Sequence, residues 1–206
     1  MFEITGKKIL AIAPHIDDVE LGLGGTIAKW IKNNEIYYVG LSSPPLVNED
    51  ILINEFHDSM RILGLNETNV VLKNYNPRDL FSSRIEILDF LYQFGKKVNP
   101  DIVFVPSSGD IHQSHEVVFS EARRALKFST ILGYELPWNC MKFNMDVFIT
   151  LSQDEIDKKT AAINAFKTQK ERIFFSNDIV MDLARVRGKQ IGQQYAECFE
   201  LIRLIV

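Results

Sequence analysis

Two short segments of the chain carry most of the side chains that could bind a metal ion or move a proton. The segments PHIDDVE (14–20) and GDIHQSHE (109–116) together supply His15, Asp17, Asp18, Asp110, His112 and His115. The chain has 4 histidines, and three of them fall in these two segments. Mixed histidine and aspartate ligands suit Zn²⁺ and similar divalent ions. We therefore predict a divalent metal site built from both segments.

The elements that precede these segments place them together. KKILAIA at 7–13 and DIVFVP at 101–106 are continuous apolar runs, which are typical of strands buried in a parallel sheet. PHIDDVE begins directly after the first of these strands, and PSSGDIHQSHE, which contains the second segment, begins where the second strand ends. In an open parallel sheet of order 3-2-1-4-5 the two strands are neighbours, and ligands bind outside their carboxyl ends. The two segments are therefore expected to share one crevice.

The rest of the chain alternates strand and helix patterns, which favours an α/β fold with a largely parallel sheet. Pro44 and Pro45 are expected to break the chain after the second strand. We predict one domain over residues 1–206, with a Rossmann-like three-layer α/β/α architecture. Two strand patterns without a helix between them, in 131–151, predict an antiparallel pair or an edge extension towards the C-terminus. The predicted strands and helices cover, in chain order, 7–13, 26–34, 35–42, 49–63, 69–75, 82–98, 101–106, 115–128, 131–137, 143–151, 153–168, 178–190 and 195–206.

The chemistry of such a crevice follows from its residue types. Three protein ligands and one open position form the usual catalytic zinc site, in which a bound water has a pKa near ~7. Of two adjacent aspartates, one can face the metal while the other takes the proton of the water. A further histidine can stabilise the charge that develops on a substrate oxygen. Composition and spacing therefore indicate metal-assisted hydrolysis.

Composition excludes several other classes. The formal net charge is −4, so the chain lacks the basic surface that general nucleic-acid binding needs. Cys140 and Cys198 form no CxxC pair, which argues against a cysteine zinc knuckle or a disulfide framework. No apolar run is long enough to span a membrane, and the N-terminus lacks a signal-peptide layout. We expect a cytoplasmic protein.

The two segments also resemble the motifs of a known family. PHIDDVELGLGGTIAKW resembles the signature of the LmbE-like (PIG-L-like) zinc N-deacetylases, in which His-Pro-Asp-Asp-Glu follows an apolar strand. GDIHQSHEVV resembles the second motif of this family, His-x-Asp-His, and RGKQIGQQYAECFELIR looks like its closing segment. The resemblance covers nearly the whole chain and implies an LmbE-like fold.

Carried over to this sequence, the resemblance implies a role for each residue. His15, Asp18 and His115 match the metal ligands, and Asp17 matches the general base. His112 matches the histidine that polarises the amide carbonyl or protonates the leaving group. The implied cofactor is Zn²⁺, with other divalent ions as alternatives. Members of the family are commonly oligomeric, which favours a homo-oligomer.

The sequence departs from the family pattern in several places. Ser114 stands where an aspartate is expected to orient the neighbouring histidine, so that His112 is a weaker acid–base partner or Asp110 takes over this task. Val19 occupies the position of the usual glutamate, and Glu20 follows it. Leu52, three residues before Glu55, stands where the family tends to carry an arginine for substrate hydroxyls.

Other features suggest where a substrate binds. Trp138 lies in a proline turn and is a candidate for stacking against a sugar, while core packing explains Tyr134 equally well. Arg187, in a basic cluster with Arg185 and Lys189, lies either on a solvated face or on a phosphate-binding rim. Asp110, beside the histidines, is a third substrate-binding candidate. GLGG at 22–25 does not fit a dinucleotide fingerprint, because its glycines come late after the strand, and it favours a tight turn and close helix packing instead.

These observations lead to one function and two alternatives. The expected activity is removal of the acetyl group from an N-acetylated amino sugar, similar to N-acetylglucosamine, which is free or carried on a nucleotide, a lipid or a thiol. The sugar follows from the family resemblance alone. A hydrolase of another small amide, or a catalytically weak module that binds metal or sugar, are the alternatives.

Overall fold

In the computed structural model, which describes residues 4–43 and 49–206, seven strands form one mixed sheet of order β3-β2-β1-β4-β5-β7-β6. Strands β1 to β5 are parallel, and β7 runs antiparallel to both of its neighbours. The strands are β1 Lys8–His15, β2 Glu35–Ser42, β3 Val70–Leu72, β4 Ile102–Pro106, β5 Thr130–Tyr134, β6 Val147–Leu151 and β7 Tyr195–Arg203.

Helices cover both faces of the sheet, so the three-layer architecture predicted from the sequence is confirmed. One apolar core lies between the sheet and α1, α2, α5 and α6, and a second lies between the sheet and α3 and α4. The helices are α1 Asp18–Trp30, α2 Glu49–Leu63, α3 Arg84–Val98, α4 Gln113–Ala125, α5 Gln153–Ala165 and α6 Asn177–Gln190, with short 3-10 helices at Glu67–Asn69 and Lys167–Gln169.

Local sequence signals explain where several helices begin and end. Ser152 and Glu155 form a reciprocal capping box at the start of α5. Helix α2 stops before Gly64, whose φ of 85° is readily adopted by glycine. Helix α3 ends at Asn99, which has a left-handed φ of 52° and precedes a proline.

The register of the central strands brings the two chemistry-bearing segments to one edge of the sheet. Strand β1 pairs in parallel with β4, with Ile9 opposite Ile102 and Ala11 opposite Phe104. The chain therefore leaves both strands on the same side, first into α1 and then into α4. The neighbouring strands and the shared edge agree with the prediction from the sequence.

Helix α1 begins eight residues earlier than the sequence pattern indicates, at Asp18 instead of Thr26. It runs through the glycine-rich segment and is kinked at Leu23, where φ is −145° and ψ is 19°. Gly22 is needed for close packing, because a Cβ there would lie 2.6 Å from the ring of Tyr134. The glycines thus allow close packing, as predicted, but the tight turn expected at this segment is wrong, because the segment is helical.

The antiparallel extension predicted towards the C-terminus is also present, but its strands do not pair in the order in which they follow each other in the chain. The strands β5 and β6, which follow each other in the chain, do not pair with each other. Strand β7 lies between them, with Tyr134 of β5 opposite Phe199 and Leu151 of β6 opposite Tyr195. Strand β3 is shorter than predicted, and the break at Pro44–Pro45 lies outside the described residues.

Candidate metal centre and active site

The candidate site lies at the carboxyl edge of β1 and β4. His15 is the last residue of β1, and Asp18 is the first residue of α1. Asp110 lies in the loop after β4, and an isolated antiparallel bridge to Cys140 fixes this loop. His115 is in the first turn of α4. Rigid elements therefore carry the side chains from both segments.

Three of these side chains converge on one point. His15 Nδ1 lies 3.1 Å from Asp18 Oδ2, and His115 Nε2 lies 3.2 Å from the same oxygen. The two ring nitrogens are 3.3 Å apart. Bonds of 2.0–2.1 Å to a tetrahedral zinc ion would separate its ligand atoms by about 3.4 Å. The spacing of the three atoms therefore fits a divalent metal ion.

The hydrogen bonds around the cluster also fit a metal. Asp110 Oδ2 accepts a hydrogen bond from His115 Nδ1 at 2.7 Å, and Asp110 Oδ1 accepts one from the backbone N–H of His112 at 2.9 Å. The proton on Nδ1 leaves His115 Nε2 with a lone pair that faces Asp18 Oδ2 and His15 Nδ1. An aspartate that orients a ligating histidine in this way is a common feature of zinc sites.

The electrostatic interactions within the cluster favour binding of a cation. Burial alone would lower the pKa of His115, but the charge of Asp18 and the hydrogen bonds to Asp110 and Asp18 raise it to about 10. Burial would raise the pKa of Asp18, but the nearby charges of His115 and His15 hold it far below its usual range. Without a metal ion these residues attract a proton to the place where the ion would bind.

Asp17 lies beside the cluster but uses its carboxylate differently. It is the N-cap residue of α1, yet its side chain makes no capping hydrogen bond. Burial and the charge of Asp18 raise the pKa of Asp17 to about 6, and the charge of Arg172 opposes the rise. A carboxylate with a pKa close to the working pH is suited to act as a general base.

His112 is held as a neutral ring with a defined tautomer. Its Nδ1 accepts a hydrogen bond from the backbone N–H of Ser114 at 3.3 Å, so the ring proton lies on Nε2. Burial and the charges of His115 and His15 lower the pKa of His112 to about 4. The Ser114 hydroxyl points elsewhere and donates to the carbonyl of Pro77 at 2.8 Å. A backbone group thus orients His112, while Asp110 orients His115.

Arg172 contacts Asp17 of the candidate site, although no pattern in the sequence indicates it. Its Nη1 donates to Asp17 Oδ2 at 3.2 Å, and about one third of its side chain is exposed. It lies in KERIFF, between α5 and α6, and is 155 residues from Asp17 in sequence. No local spacing links two residues so far apart, and only the folded chain brings them together.

Two of the proposed substrate-binding residues, Trp138 and Arg187, line the same cavity but have different partners. Trp138 is partly buried and stacks on Phe174, with ring centroids 4.6 Å apart. Phe174 in turn lies below the guanidinium of Arg172, 5.9 Å from its centre. Arg187 forms an ion pair with buried Glu135 and makes its other hydrogen bonds to Met145 and Gln190, outside the histidine cluster.

Two of the positions at which the sequence departs from the family pattern carry buried side chains, Glu20 and Leu52. Glu20 is fully buried, accepts a hydrogen bond from Tyr38 at 3.3 Å, and has a pKa that burial raises well above its usual value. Leu52 is fully buried in the apolar core beside α2. Leu52 therefore brings no charge to the cluster, whereas Glu20 is a buried side chain that interacts with both aspartates.

Comparison with known proteins agrees with this geometry. A family model described as PIG-L, GlcNAc-PI de-N-acetylase, matches residues 10–126, which is more than half of the chain. A deacetylase of Escherichia coli K12, YaiS, itself uncharacterized, is 27% identical over 172 residues that cover 79% of this chain and 91% of YaiS. Within the described part of the chain, no helix is both long and apolar enough to cross a membrane.

Two solved structures show the same fold. The N,N'-diacetylchitobiose deacetylase from Pyrococcus horikoshii superposes with a TM-score of 0.75 at 25% identity, covering 95% of this chain and 84% of the other. A 4-carboxy-2-hydroxymuconate hydratase, GalB from Pseudomonas putida KT2440, superposes with a TM-score of 0.81 at 20% identity, covering 97% and 98%. The fold is therefore shared by deacetylases and by at least one enzyme of another class.

Proposed function

The chain belongs to the PIG-L (LmbE-like) family, and we propose that it is a zinc-dependent hydrolase that removes the acetyl group from an N-acetylated amino sugar. The observation that carries this proposal is the convergence of His15 Nδ1, Asp18 Oδ2 and His115 Nε2 within 3.3 Å of one another. Asp17, the neighbour of Asp18 in the chain, has a carboxylate whose pKa is raised by burial and by the charge of Asp18. This combination supports hydrolysis more directly than the fold does.

His15, Asp18 and His115 would hold the metal ion, with Asp110 fixing the orientation of His115. Two nitrogens and one carboxylate oxygen suit Zn²⁺, although other divalent ions accept the same ligands. When bound, the ion would supply Lewis acidity and make a water molecule a nucleophile at neutral pH.

The other residues of the chain would handle the protons. As the water oxygen bonds to the amide carbon, Asp17 accepts the proton that the water releases. The Nε2–H group of His112 donates a hydrogen bond to the carbonyl oxygen, where negative charge develops. Breaking of the C–N bond then returns the proton from Asp17 to the amine nitrogen, which gives acetate and a free amino sugar.

Of the two roles implied for His112, the structure favours polarisation of the carbonyl. A ring whose Nδ1 accepts a backbone N–H at 3.3 Å cannot take a second proton without losing that hydrogen bond. Its pKa of about 4 also keeps it neutral at physiological pH. A neutral imidazole can still donate from Nε2 to a developing oxyanion.

We also propose that the stacked pair Trp138 and Phe174 forms the apolar wall against which the sugar ring packs. Flat aromatic surfaces combined with a few polar groups are typical of small-molecule sites. Arg172, over the ring of Phe174, links this wall to Asp17. Arg187 is a weaker candidate for substrate contact, because Glu135 already engages its guanidinium.

Acetate release from a panel of N-acetylhexosamine conjugates, measured with and without Zn²⁺, tests the proposal. Asp17→Asn and His115→Ala serve as inactive controls, the first expected to retain the metal and the second to lose it. Release of a different carboxylate from a non-sugar amide would favour the alternative amide hydrolase. Tight binding of metal or sugar without any hydrolysis would favour a binding module and refute the enzymatic proposal.

A further inference from the structure

The carboxylate of Asp17 depends on one hydrogen-bond partner. Among residues 4–43 and 49–206, Arg172 supplies the hydrogen bond that this carboxylate accepts, with Nη1 3.2 Å from Oδ2. An aspartate at the N-cap of a helix usually turns back to accept from the second or third N–H of that helix. Asp17 makes no such bond, although it occupies the N-cap position of α1. Arg172 therefore holds a side chain that has an alternative position close by.

The segment that carries Arg172 is tied down at both ends. We call residues 166–175 the Arg172 loop. Phe166 and Phe175, its first and last residues, are buried and pack edge to face at 5.9 Å. Between them a series of tight turns is closed by backbone hydrogen bonds, from Arg172 N to Gln169 O at 3.0 Å and from Phe175 N to Arg172 O at 2.9 Å. The flanking residues Glu171 and Ile173 are exposed, whereas Arg172 turns inward.

Glu55 on α2 holds the middle of the Arg172 loop in place through hydrogen bonds. Its side chain is buried, and its carboxylate accepts hydrogen bonds from the backbone N–H of Thr168 at 3.1 Å and from the Thr168 hydroxyl at 2.5 Å. Burial of a carboxylate is costly unless such donors compensate it. The contact spans 113 residues of sequence and fixes the loop relative to α2.

We propose that Arg172 and Glu55 are positioning residues for Asp17, Arg172 through its direct hydrogen bond and Glu55 through Thr168 and the Arg172 loop. They hold the Asp17 carboxylate facing the metal cluster and keep it from turning back to cap α1. The inference rests on the proposed function, because Asp17 is the residue that accepts the proton of the water. Neither Arg172 nor Glu55 is required to touch the metal or the reacting atoms.

Replacement of Arg172 by methionine, which has a similar length but no N–H donors, tests the direct contact. Misplacement of a catalytic group by about 1 Å can cost on the order of 10²-fold in rate. We expect kcat to fall by about 10- to 100-fold, with KM changed far less and with the metal content of the wild type. Arg61→Met is the matched control, since Arg61 is an exposed arginine on α2 that pairs with Asp58.

Partial rescue separates positioning from a general loss of structure. Arg172→Lys keeps a cationic donor and is expected to retain more activity than Arg172→Met. Guanidinium ions added to Arg172→Ala should restore part of kcat, and they should restore nothing to Asp17→Asn. Glu55→Ala should lower kcat in the same direction as Arg172→Met, and the double variant should be no worse than the more affected single variant.

The results decide the proposal whether or not a substrate is found. An unchanged kcat in metal-loaded Arg172→Met, or a loss of metal in that variant, would overturn it. If the wild type releases no acetate from any substrate, the proposed function fails, and a double-mutant cycle on thermal unfolding of the metal-loaded protein becomes the test. Non-additive effects of Arg172→Met and Asp17→Asn would then support the contact, and additive effects would overturn it.

Discussion

Replacement of Asp110 by asparagine should weaken metal binding without removing a metal ligand. The Asp110 side chain is fully buried, and each of its oxygens accepts one hydrogen bond, from His115 Nδ1 at 2.7 Å and from His112 N at 2.9 Å. An asparagine has the same size but only one acceptor oxygen. One of the two donors must therefore face the N–H₂ group of the amide.

Each orientation of the amide carries a cost. In the first orientation the amide oxygen accepts the hydrogen bond from the backbone N–H of His112. The amide nitrogen then donates to His115 Nδ1, which moves the ring proton to Nε2, where the metal would bind. If the oxygen serves His115, the N–H of His112 is buried without a partner, at a cost of about 1–3 kcal/mol. That energy corresponds to about a 5- to 150-fold rise in the metal dissociation constant when metal binding imposes the second orientation. Losses of 10- to 100-fold are typical when the partner of a ligating histidine is removed.

Competition with a chelator of known zinc affinity would measure the effect. The experiment compares the wild type, Asp110→Asn and the control Asp182→Asn, which alters an exposed aspartate on α6 that pairs with Arg185. The metal dissociation constant should rise by about 10- to 100-fold in Asp110→Asn alone. Equal affinity in all three proteins would refute the assigned orientation of His115 and, with it, the argument that this histidine is prepared for a metal.

Three further outcomes follow from the site. Asp17→Asn should retain the metal, by elemental analysis, and lose about 10²- to 10⁴-fold in kcat, and loss of the metal would make Asp17 a ligand instead. Ser114→Asp should lower the free energy of unfolding by about 1–3 kcal/mol, because it places a buried carboxylate against the carbonyl of Pro77. A denaturant titration measures this change, and a higher kcat with full stability would contradict the reasoning. In nitrogen NMR of the zinc-loaded protein at pH 6, His112 should be neutral with its proton on Nε2, because its Nδ1 accepts the backbone N–H of Ser114, and a charged ring would refute the assignment.

The shared edge of the candidate site could be predicted because it depends on local patterns. The apolar runs of β1 and β4 can be recognised in the sequence. His15 ends β1, and Asp110 and His112 come within six residues of the end of β4. Parallel strands that are neighbours then bring the following residues together, whatever the details of the loops. The grouping of the histidines and aspartates of the two segments required no knowledge of distant contacts, whereas the choice of His15, Asp18 and His115 as ligands came from the family resemblance.

The predicted start of α1 was wrong because the burial of this helix hides its helical sequence pattern. From Asp18 to Trp30, every residue of this helix except Lys29 is buried, so polar and apolar positions do not alternate with a helical period. Its glycines also read as a turn, although they are there to let Tyr134 and Leu151 approach the helix. A helix that is covered on all sides gives a weak amphipathic signal.

The roles of Arg172 and Asp110 could not be predicted for a different reason. Arg172 reaches Asp17 across most of the chain, and the sequence gives no spacing that relates them. The sequence predicts that Asp110 acts on a substrate or orients His112, and it does not indicate the hydrogen bond that Asp110 Oδ2 accepts from His115, five residues away, beside the one that Oδ1 accepts from the backbone N–H of His112. Such choices depend on side-chain direction, which a pattern of residue types does not contain.

The division of labour between the two adjacent aspartates is the clearest link between the fold and the chemistry. Because β1 ends and α1 begins at this point, Asp18 turns towards two histidines, and their charges keep its pKa low despite burial. Asp17 has no histidine within hydrogen-bonding distance among the described residues. Burial and the neighbouring charge of Asp18 raise its pKa to about 6, and Arg172 limits the rise. Neighbouring carboxylates whose pKa values are driven apart are suited to different tasks, which supports Asp18 as the ligand and Asp17 as the base.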